Sequence, residues 1–241
     1  KVLAGGQSLI PSLNMRLSSP ELLVDINGLE ELKGIRLDND TVRIGALARH
    51  GEIEKSEVIA KHLPLLAAAV PHIAHPAIRN RGTIGGSLAL ADPAAEYPAC
   101  ALALDATILI EGSKGKRQVK AEKFFKGLFE TDLKPGELLT AVEFRTQKKN
   151  ERSAFLELAR RQGDYATVGL AAFASNGAKR FAYFGAADRP VLALNAAKAK
   201  DLGSAKAALA KDLQPPADLY HSSATKLHLA RVLLERAWNT L

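Results

Sequence analysis

Two glycine pairs, each followed closely by a serine, constrain what this chain can fold into more than any other feature of its sequence. The first lies at residues 4–8 (Ala-Gly-Gly-Gln-Ser) and the second at residues 83–87 (Thr-Ile-Gly-Gly-Ser), each after an extended or loop segment. Because glycine lacks a Cβ and adopts positive φ, consecutive N–H groups can converge on one oxyanion, an arrangement called a nest. One pair alone is equally typical of a tight turn. Two pairs favour a pyrophosphate held from opposite sides by neighbouring domains.

The motifs of several enzyme classes do not occur in the sequence. There is no P-loop pattern and no complete G-x-G-x-x-G, which disfavours nucleoside triphosphate hydrolysis and a Rossmann dinucleotide site. A G-x-S-x-G elbow and H-E-x-x-H spacing are also missing, so we predict no catalytic nucleophile and no metal ligands. Cys100 is the only cysteine, so an iron–sulfur cluster or cysteine-rich zinc site would have to belong to a partner.

Composition indicates a globular chain and gives no sign of a nucleic-acid-binding, membrane-spanning or secreted protein. The 241 residues are 47% hydrophobic and 24% charged, which is typical of a chain that buries a core. The net charge of +7 is dispersed, and its densest group, residues 114–126, has no aromatic residue before Phe124. This group predicts a solvated hairpin rather than a nucleic-acid site. No apolar run is long enough for a membrane span and no signal peptide is visible, so we expect a cytoplasmic location.

Three segments of different character predict an α+β fold. Residues 1–31 form a small strand-rich part, truncated at its start because the chain opens in an apolar run without a methionine. Residues 32–149 form a middle α/β part, and a charged stretch at 147–152 separates it from the C-terminal part, residues 150–241.

Apolar spacing predicts the individual elements. In the first two parts these are strands at 2–4 and 22–26, a hairpin of 35–37 with 42–44, two short helices over 52–70, a helix over 97–105 and a buried strand at 107–110. In the last part they are strands at 155–159, 168–174 and 181–184, followed by alanine-rich helices. The final helix has Leu227, Ala230, Leu234 and Trp238 on one face.

The order of four motifs points to a known family. Residues 4–8, 78–87 (Ile-Arg-Asn-Arg-Gly-Thr-Ile-Gly-Gly-Ser), 160–166 (Arg-Arg-Gln-Gly-Asp-Tyr-Ala) and 185–190 (Gly-Ala-Ala-Asp-Arg-Pro) occur in succession. The chain closely resembles, over essentially its whole length, the FAD-binding medium subunit of molybdenum hydroxylases, the family of carbon monoxide dehydrogenase and the xanthine dehydrogenases. The resemblance implies a two-part FAD-binding domain of the vanillyl-alcohol-oxidase (PCMH) type and a C-terminal three-stranded antiparallel sheet with helices that covers the flavin. It also implies a strand and a helix ahead of Lys1.

The resemblance further implies which residues contact FAD. These are Ala4, Gly5, Gly6, Gln7, Ser8 and Leu9 from the first loop, Thr83, Ile84, Gly85, Gly86 and Ser87 from the second, and His75, Glu96, Leu139 and Tyr165. Glu96 stands where relatives often place an aspartate near the adenosine part, and Tyr165 matches an aromatic that stacks on the flavin ring in some relatives. Leu139 as a plain strand residue, Tyr165 as a core residue and His75 as a loop residue remain alternatives.

One position departs from the family pattern. Glu157 lies where many relatives have a lysine that favours the electron-rich end of the flavin. Arg160 and Arg161 are the nearest replacements in the sequence, although they are equally consistent with surface charges.

The function implied by the resemblance is electron transfer within a complex. A large molybdopterin subunit would oxidise the substrate, [2Fe-2S] clusters of a small subunit would relay electrons, and FAD in this chain would pass them to an external acceptor, in a dimer of heterotrimers. The alternatives are a stand-alone FAD-dependent oxidoreductase of the same fold and a basic interaction module whose glycine pairs are turns. The sequence names neither substrate nor acceptor.

Overall fold

The beginning of the chain forms a small unit around a parallel pair of strands. The computed structural model describes residues 1–241. Its first elements are β1 (Val2–Leu3), α1 (Leu9–Asn14) and β2 (Val24–Asp25), and β1 pairs with β2. Both strands are shorter than predicted, and β1 ends early because Gly6, with φ +72°, already turns the chain towards α1.

A five-stranded antiparallel sheet organises the middle of the chain, in the order β3-β4-β9-β5-β6. The elements here are β3 (Ile35–Asp38), β4 (Thr41–Gly45), α2 (His50–Lys55), α3 (Glu57–His62), α4 (Pro64–Ala69), α5 (Pro76–Arg79), α6 (Ile84–Leu90), α7 (Glu96–Ala103), β5 (Thr107–Gly112), β6 (Gly115–Lys120), α8 (Ala121–Phe124), β7 (Phe125–Gly127), β8 (Glu130–Thr131) and β9 (Leu138–Arg145). The predicted hairpin is confirmed as β3–β4, and the basic stretch lies largely on β6 at the edge of the sheet.

The helical stretch after β4 contains three helices, so the prediction of two short helices over 52–70 is wrong in number. Ser56 ends α2 and begins α3, where its hydroxyl accepts the N–H of Ile59. Pro64 then occupies the first turn of α4, where a missing N–H costs no helical hydrogen bond. Pro64 is visible in the sequence as a break between two helices, whereas the second break, at Ser56, follows from a hydroxyl cap that periodicity does not show.

A second antiparallel sheet, in the order β10-β11-β12-β13, organises the end of the chain. Its elements are β10 (Arg152–Leu158), β11 (Val168–Ser175), β12 (Ala178–Phe184), β13 (Val191–Leu192), α9 (Leu194–Ala197), α10 (Leu202–Asp212) and α11 (Ser223–Thr240). The expected three strands are present, but the sheet has a fourth, β13. Two residues after Pro190 are too few to show an alternating pattern, which is why the sequence did not predict this strand.

The C-terminal sheet is buried on both faces. Along β11, Leu170 and Ala172 belong to the apolar cluster under α10 and α11, whereas Ala171 and Phe173 belong to the larger cluster of the middle part. Alternate strand residues point to opposite faces, so one strand joins the two cores. The predicted inward face of α11 is confirmed, with Ala230 and Leu234 fully buried. None of the helices has the length and apolarity needed to cross a bilayer.

Candidate functional site

A cavity of about 660 Å³ lies where the beginning, the middle and the end of the chain meet. Its size is within the range of cofactor pockets. It contains thirteen of the fifteen predicted contact residues in its lining: Ala4, Gly5, Gly6, Gln7, Ser8, Leu9, Thr83, Gly85, Gly86, Ser87, Glu96, Leu139 and Tyr165. Residues distant in sequence therefore converge on one space.

The two remaining predicted residues do not line the cavity. His75 is exposed and precedes α5 in extended conformation, so the alternative of a loop residue describes it better. Ile84 is fully buried in the core, and its N–H donates to the carbonyl oxygen of Ala48, three residues after β4 ends.

The first glycine loop presents free hydrogen-bond donors. The N–H groups of residues 6–9 have no acceptor within the chain, as they precede or begin α1. Gly6 reaches φ +72°, a conformation that side chains rarely adopt. The carbonyl of Gly5 accepts a hydrogen bond from the side-chain Nε2 of Gln7 at 3.1 Å, which leaves the backbone N–H of Gln7 free. Four adjacent N–H groups are thus available to an anionic group in the cavity.

The second glycine loop, here residues 81–87, leads into the first turn of α6, and the sequence prediction of a second nest is wrong for its central amides. The N–H of Gly85 donates to the carbonyl of Ala46 at 2.9 Å, and the N–H of Gly86 donates to the hydroxyl of Thr83 at 3.1 Å. A Cβ on Gly85 would lie 2.5 Å from the Cβ of Ala46. The glycines here serve close packing and leave a wall without side chains.

The two loops touch each other through glycines. A Cβ on Gly5 would collide with the carbonyl oxygen of Arg81 and lie 2.8 Å from the Cα of Gly82. A Cβ on Gly82 would lie 2.5 Å from Nε2 of His50. The contact between the loops therefore requires a glycine at position 5, whereas Gly82 leaves room for the ring of His50.

Burial reduces the charge of three titratable groups around the cavity, Glu96, His50 and Asp92. It raises the pKa of Glu96 to about 7, and nearby Asp92 adds to the effect. It lowers the pKa of His50 to about 4, helped by Arg49 and Arg79, so this imidazole is neutral at pH 7. Burial also raises the pKa of Asp92. Glu137, which also lines the cavity, stays ionised, because its hydrogen bonds with Arg117 lower its pKa to about 2. The free N–H donors of the first loop suit a ligand that carries its own negative charge.

Comparison with known proteins decides the family. A family described as the FAD binding domain in molybdopterin dehydrogenase matches residues 1–144. The chain belongs to this family. As a member of it, the chain contains an FAD-binding domain, which confirms the resemblance seen in the sequence.

Related proteins of this FAD-binding family are subunits of dehydrogenases. The chain is 47% identical to the 6-hydroxypseudooxynicotine dehydrogenase complex subunit alpha of Paenarthrobacter nicotinovorans, over 71% of this chain and 58% of that relative. It is 36% identical to the glyceraldehyde dehydrogenase medium chain of Sulfolobus acidocaldarius, over 98% of this chain and 88% of that one. The chain spans 58% of the length of the first relative and of the caffeine dehydrogenase subunit beta of a Pseudomonas strain.

Solved structures of the family have the same mixed α and β fold. Carbon monoxide dehydrogenase from Hydrogenophaga pseudoflava matches with a TM-score of 0.95 and 36% identity, over 100% of this chain and 88% of that chain. Quinoline 2-oxidoreductase from Pseudomonas putida matches with a TM-score of 0.90 and 37% identity, over 99% of this chain and 88% of that chain.

The two candidates for contact with the flavin ring, Tyr165 and Leu139, differ in exposure. Tyr165 is 75% exposed at the edge of the cavity, so the alternative of a core tyrosine is wrong. Leu139 is buried in β9, opposite Ile110, and still borders the cavity. It is both a strand leucine and a lining residue.

Glu157, where the resemblance implied a lysine, lies on β10, the edge strand of the C-terminal sheet. Its side chain is 3% exposed, and Nδ1 of His72 is 3.5 Å from its Oε2, which has no hydrogen-bond partner. Burial, with a contribution from Glu96, raises the pKa of Glu157 to about 8. Neither Arg160 nor Arg161 lines the cavity, and Arg160 instead stacks over Tyr220 at 4.3 Å.

Sequence reasoning missed several lining residues, among them His50, Asp92 and Ala46. His50 lies in the core, where its Nδ1 has no hydrogen-bond partner and its ring packs on Tyr97 at 5.1 Å between centroids. Asp92 follows Ala91, which ends α6 in the left-handed conformation. The only local signal for it was an aspartate before a proline, five residues after the second glycine motif ends.

Proposed function

We propose that this chain is the FAD-binding, electron-transferring subunit of a molybdenum-containing dehydrogenase. The proposal rests above all on the cavity, whose lining brings together the free N–H groups of residues 6–9 and the glycine wall at Gly86. Membership of the FAD-binding family and the medium chains among its relatives support it. The only cysteine, Cys100, is buried, so the chain offers no ligand set for the iron–sulfur clusters that such a complex needs.

The residues of the cavity fit FAD. The amides of residues 6–9 would hold the diphosphate, while Gly86 leaves room for it and Glu96 faces the adenosine part. Leu139 and Tyr165 would border the flavin ring, and Tyr165, at the open edge, would limit access to it. The bound FAD supplies the redox chemistry by accepting electrons singly or in pairs. Protein residues position it and exclude water.

The proposal extends to domain organisation and partners. Residues 1–31 and 32–149 form the two parts of a domain of the vanillyl-alcohol-oxidase type, and residues 150–241 form the domain that covers the flavin. A large molybdopterin subunit and a small [2Fe-2S] subunit complete the complex, as a dimer of heterotrimers in the cytoplasm. Electrons pass from the clusters to FAD and from FAD to an external acceptor.

The test is expression of the chain with and without its neighbouring genes. We expect a stoichiometric assembly that contains molybdenum, iron and FAD and that bleaches its flavin band when an organic substrate is added. A chain that purifies alone with FAD and oxidises a substrate of its own would instead establish the stand-alone oxidoreductase. A chain that stays colourless after incubation with FAD would favour the interaction module.

A further inference from the structure

Arg49 links the two glycine loops although it does not line the cavity. We propose that Arg49, acting through Asn27, is a positioning residue that sets the distance between the loops and thereby the affinity for FAD. The inference rests on the proposed function, since it concerns the same cavity.

A continuous chain of hydrogen bonds joins the loops. Nη1 of Arg49 donates to the carbonyl of Arg81 in the second loop, and Nη2 donates to Oδ1 of Asn27 at 2.5 Å. Nδ2 of Asn27 donates to the carbonyl of Ala4 in the first loop at 2.9 Å, and to Oδ1 of Asp25 at 2.6 Å. The guanidinium therefore holds one loop directly and the other through a single amide.

The base of Arg49 is anchored on the second loop. Arg49 forms an isolated bridge with Thr83, and the next N–H, that of His50, donates to the carbonyl of Gly82 at 3.0 Å. The N–H of Arg49 itself donates to Oε2 of Glu52 at 2.7 Å, which fixes the start of α2. Its side chain extends from this rigid base towards the first loop.

The first loop has few other supports. No residue of α1 is buried, and β1 pairs with β2 over two residues only. A further contact with the second loop is the close approach of Gly5 to Arg81 and Gly82. The placement of the free N–H groups of residues 6–9 therefore depends strongly on the link from Arg49.

Arginine is suited to this link by shape as well as by charge. Its planar guanidinium carries several donors in fixed directions, whereas a lysine ammonium is a flexible point charge. Burial, together with the neighbouring Arg81, lowers the pKa of Arg49, and Asp25 and Glu52 oppose this effect. If position matters, a lysine that keeps the charge will not replace Arg49.

The experiment is a double-mutant cycle on the whole chain, stripped of flavin and titrated with FAD. The variants are Arg49→Met, Arg49→Lys, Asn27→Ala and the double variant Arg49→Met with Asn27→Ala. Arg36→Met is the matched control. Arg36 forms an exposed ion pair with Asp38 on β3 and does not contact either glycine loop. The dissociation constant comes from quenching of flavin fluorescence, and the melting temperature is measured without FAD.

We expect each single variant, Arg49→Lys included, to weaken FAD binding about tenfold, the loss typical of one hydrogen bond to a charged group. The double variant should bind no more weakly than Arg49→Met, because both changes break one link. Arg36→Met should bind as the unaltered chain does. The melting temperature without FAD should change far less than the affinity, which separates positioning from general stability.

Three results would overturn the inference alone: unchanged affinity in Arg49→Met, full affinity in Arg49→Lys, or additive losses in the double variant. In each case the unaltered chain still binds FAD and the proposed function stands. If the unaltered chain does not bind FAD, the proposed function fails and the inference fails with it. Should Arg49→Met not fold, Arg49→Lys and Asn27→Ala complete the same cycle.

Discussion

At the scale of single residues, the glycines of the second loop have two different duties. Gly85 is buried against Ala46 and permits packing, whereas Gly86 is exposed towards the cavity and keeps it open. A Cβ on Gly86 would meet only the hydroxyl of Thr83, at 2.8 Å. A side chain at this position therefore affects the ligand more than the core.

We expect Gly86→Asp to abolish FAD retention while the chain still folds, since the new carboxylate fills the cavity and repels a diphosphate. The ratio of flavin to protein absorbance measures retention, and circular dichroism reports the fold. Gly28→Asp is the control, because no atom lies within 4 Å of a Cβ there. Stoichiometric flavin in Gly86→Asp would contradict the assignment of the cavity.

Glu157 is a second residue whose surroundings decide its behaviour. Its pKa is about 8 in the folded chain against an ordinary value of 4.5. Between these values the unfolded chain has lost the proton that the folded chain keeps. The free energy of unfolding therefore falls as pH rises from about 4.5 to about 8.

Glu157→Gln should remove most of this loss, because the amide has the same shape and does not ionise. At pH 8 the variant should be more stable by roughly 1–3 kcal/mol, the cost of a buried group without a partner. Denaturant unfolding of the flavin-free chain at pH 5, 6.5 and 8 tests this. Glu143→Gln, at a half-buried ion pair with Arg43, is the control. A gain of equal size at all three pH values would contradict this explanation. Two titratable groups act on Glu157: Glu96, which raises its pKa, and His72, whose Nδ1 is 3.5 Å from Oε2.

At the scale of elements, the C-terminal sheet is the joint between the two cores. Phe184 of β12 packs into the space over Gly169 and stacks on Phe155 of β10, on the face towards the middle part. On the opposite face, the hydroxyl of buried Tyr183 donates to the carbonyl of Ala230 in α11 at 3.0 Å. The docking of α11 therefore stabilises the sheet that carries the loop of Tyr165.

Leu234→Ala in α11 should lower the free energy of unfolding by about 2–5 kcal/mol, the usual cost of a cavity at a fully buried leucine. Urea unfolding followed by tryptophan fluorescence measures the change, since Trp238 lies on the same helix. Leu219→Ala, at a leucine that is 95% exposed, should have almost no effect. Equal losses in the two variants would show that α11 does not dock as described.

Much of the element order could be predicted from the sequence, because hairpins and long helices depend on local spacing. The β3–β4 hairpin and α11 are examples. The number of helices between residues 50 and 69 and the strand β13 could not be predicted. They depend on a capping hydroxyl at Ser56 and on pairing of two residues with β12, neither of which produces a periodic pattern.

At the scale of the whole molecule, the cavity is closed from the C-terminal side by the loop of residues 160–166. A Cβ on Gly163 would lie 2.7 Å from the carbonyl of Ala74, so this loop presses on the middle part of the chain. At its other end Arg160 stacks over Tyr220. Held at two points, the loop keeps Tyr165 at the edge of the cavity.

Tyr165→Ala in the assembled complex should change the rate of flavin reoxidation severalfold and leave the FAD content nearly unchanged, because the ring limits access without carrying the diphosphate. Stopped-flow absorbance measures the rate, and flavin released on denaturation gives the content. Tyr165→Phe keeps the aromatic surface and should behave like the unaltered protein. Identical reoxidation rates in Tyr165→Ala would argue against a role in access.

The order of the glycine and arginine motifs along the chain was enough to identify the FAD-binding family and thirteen of the residues that line the cavity, because each motif is a short run that can be recognised without knowing its neighbours in space. Tertiary structure alone decided which amides are free. The N–H of Gly85 donates to the carbonyl of Ala46, whereas the N–H groups of residues 6–9 have no acceptor in the chain. Arg49 binds one loop at the carbonyl of Arg81 and the other through Asn27. These are contacts between distant parts of the chain, and their distances are set by packing rather than by local sequence.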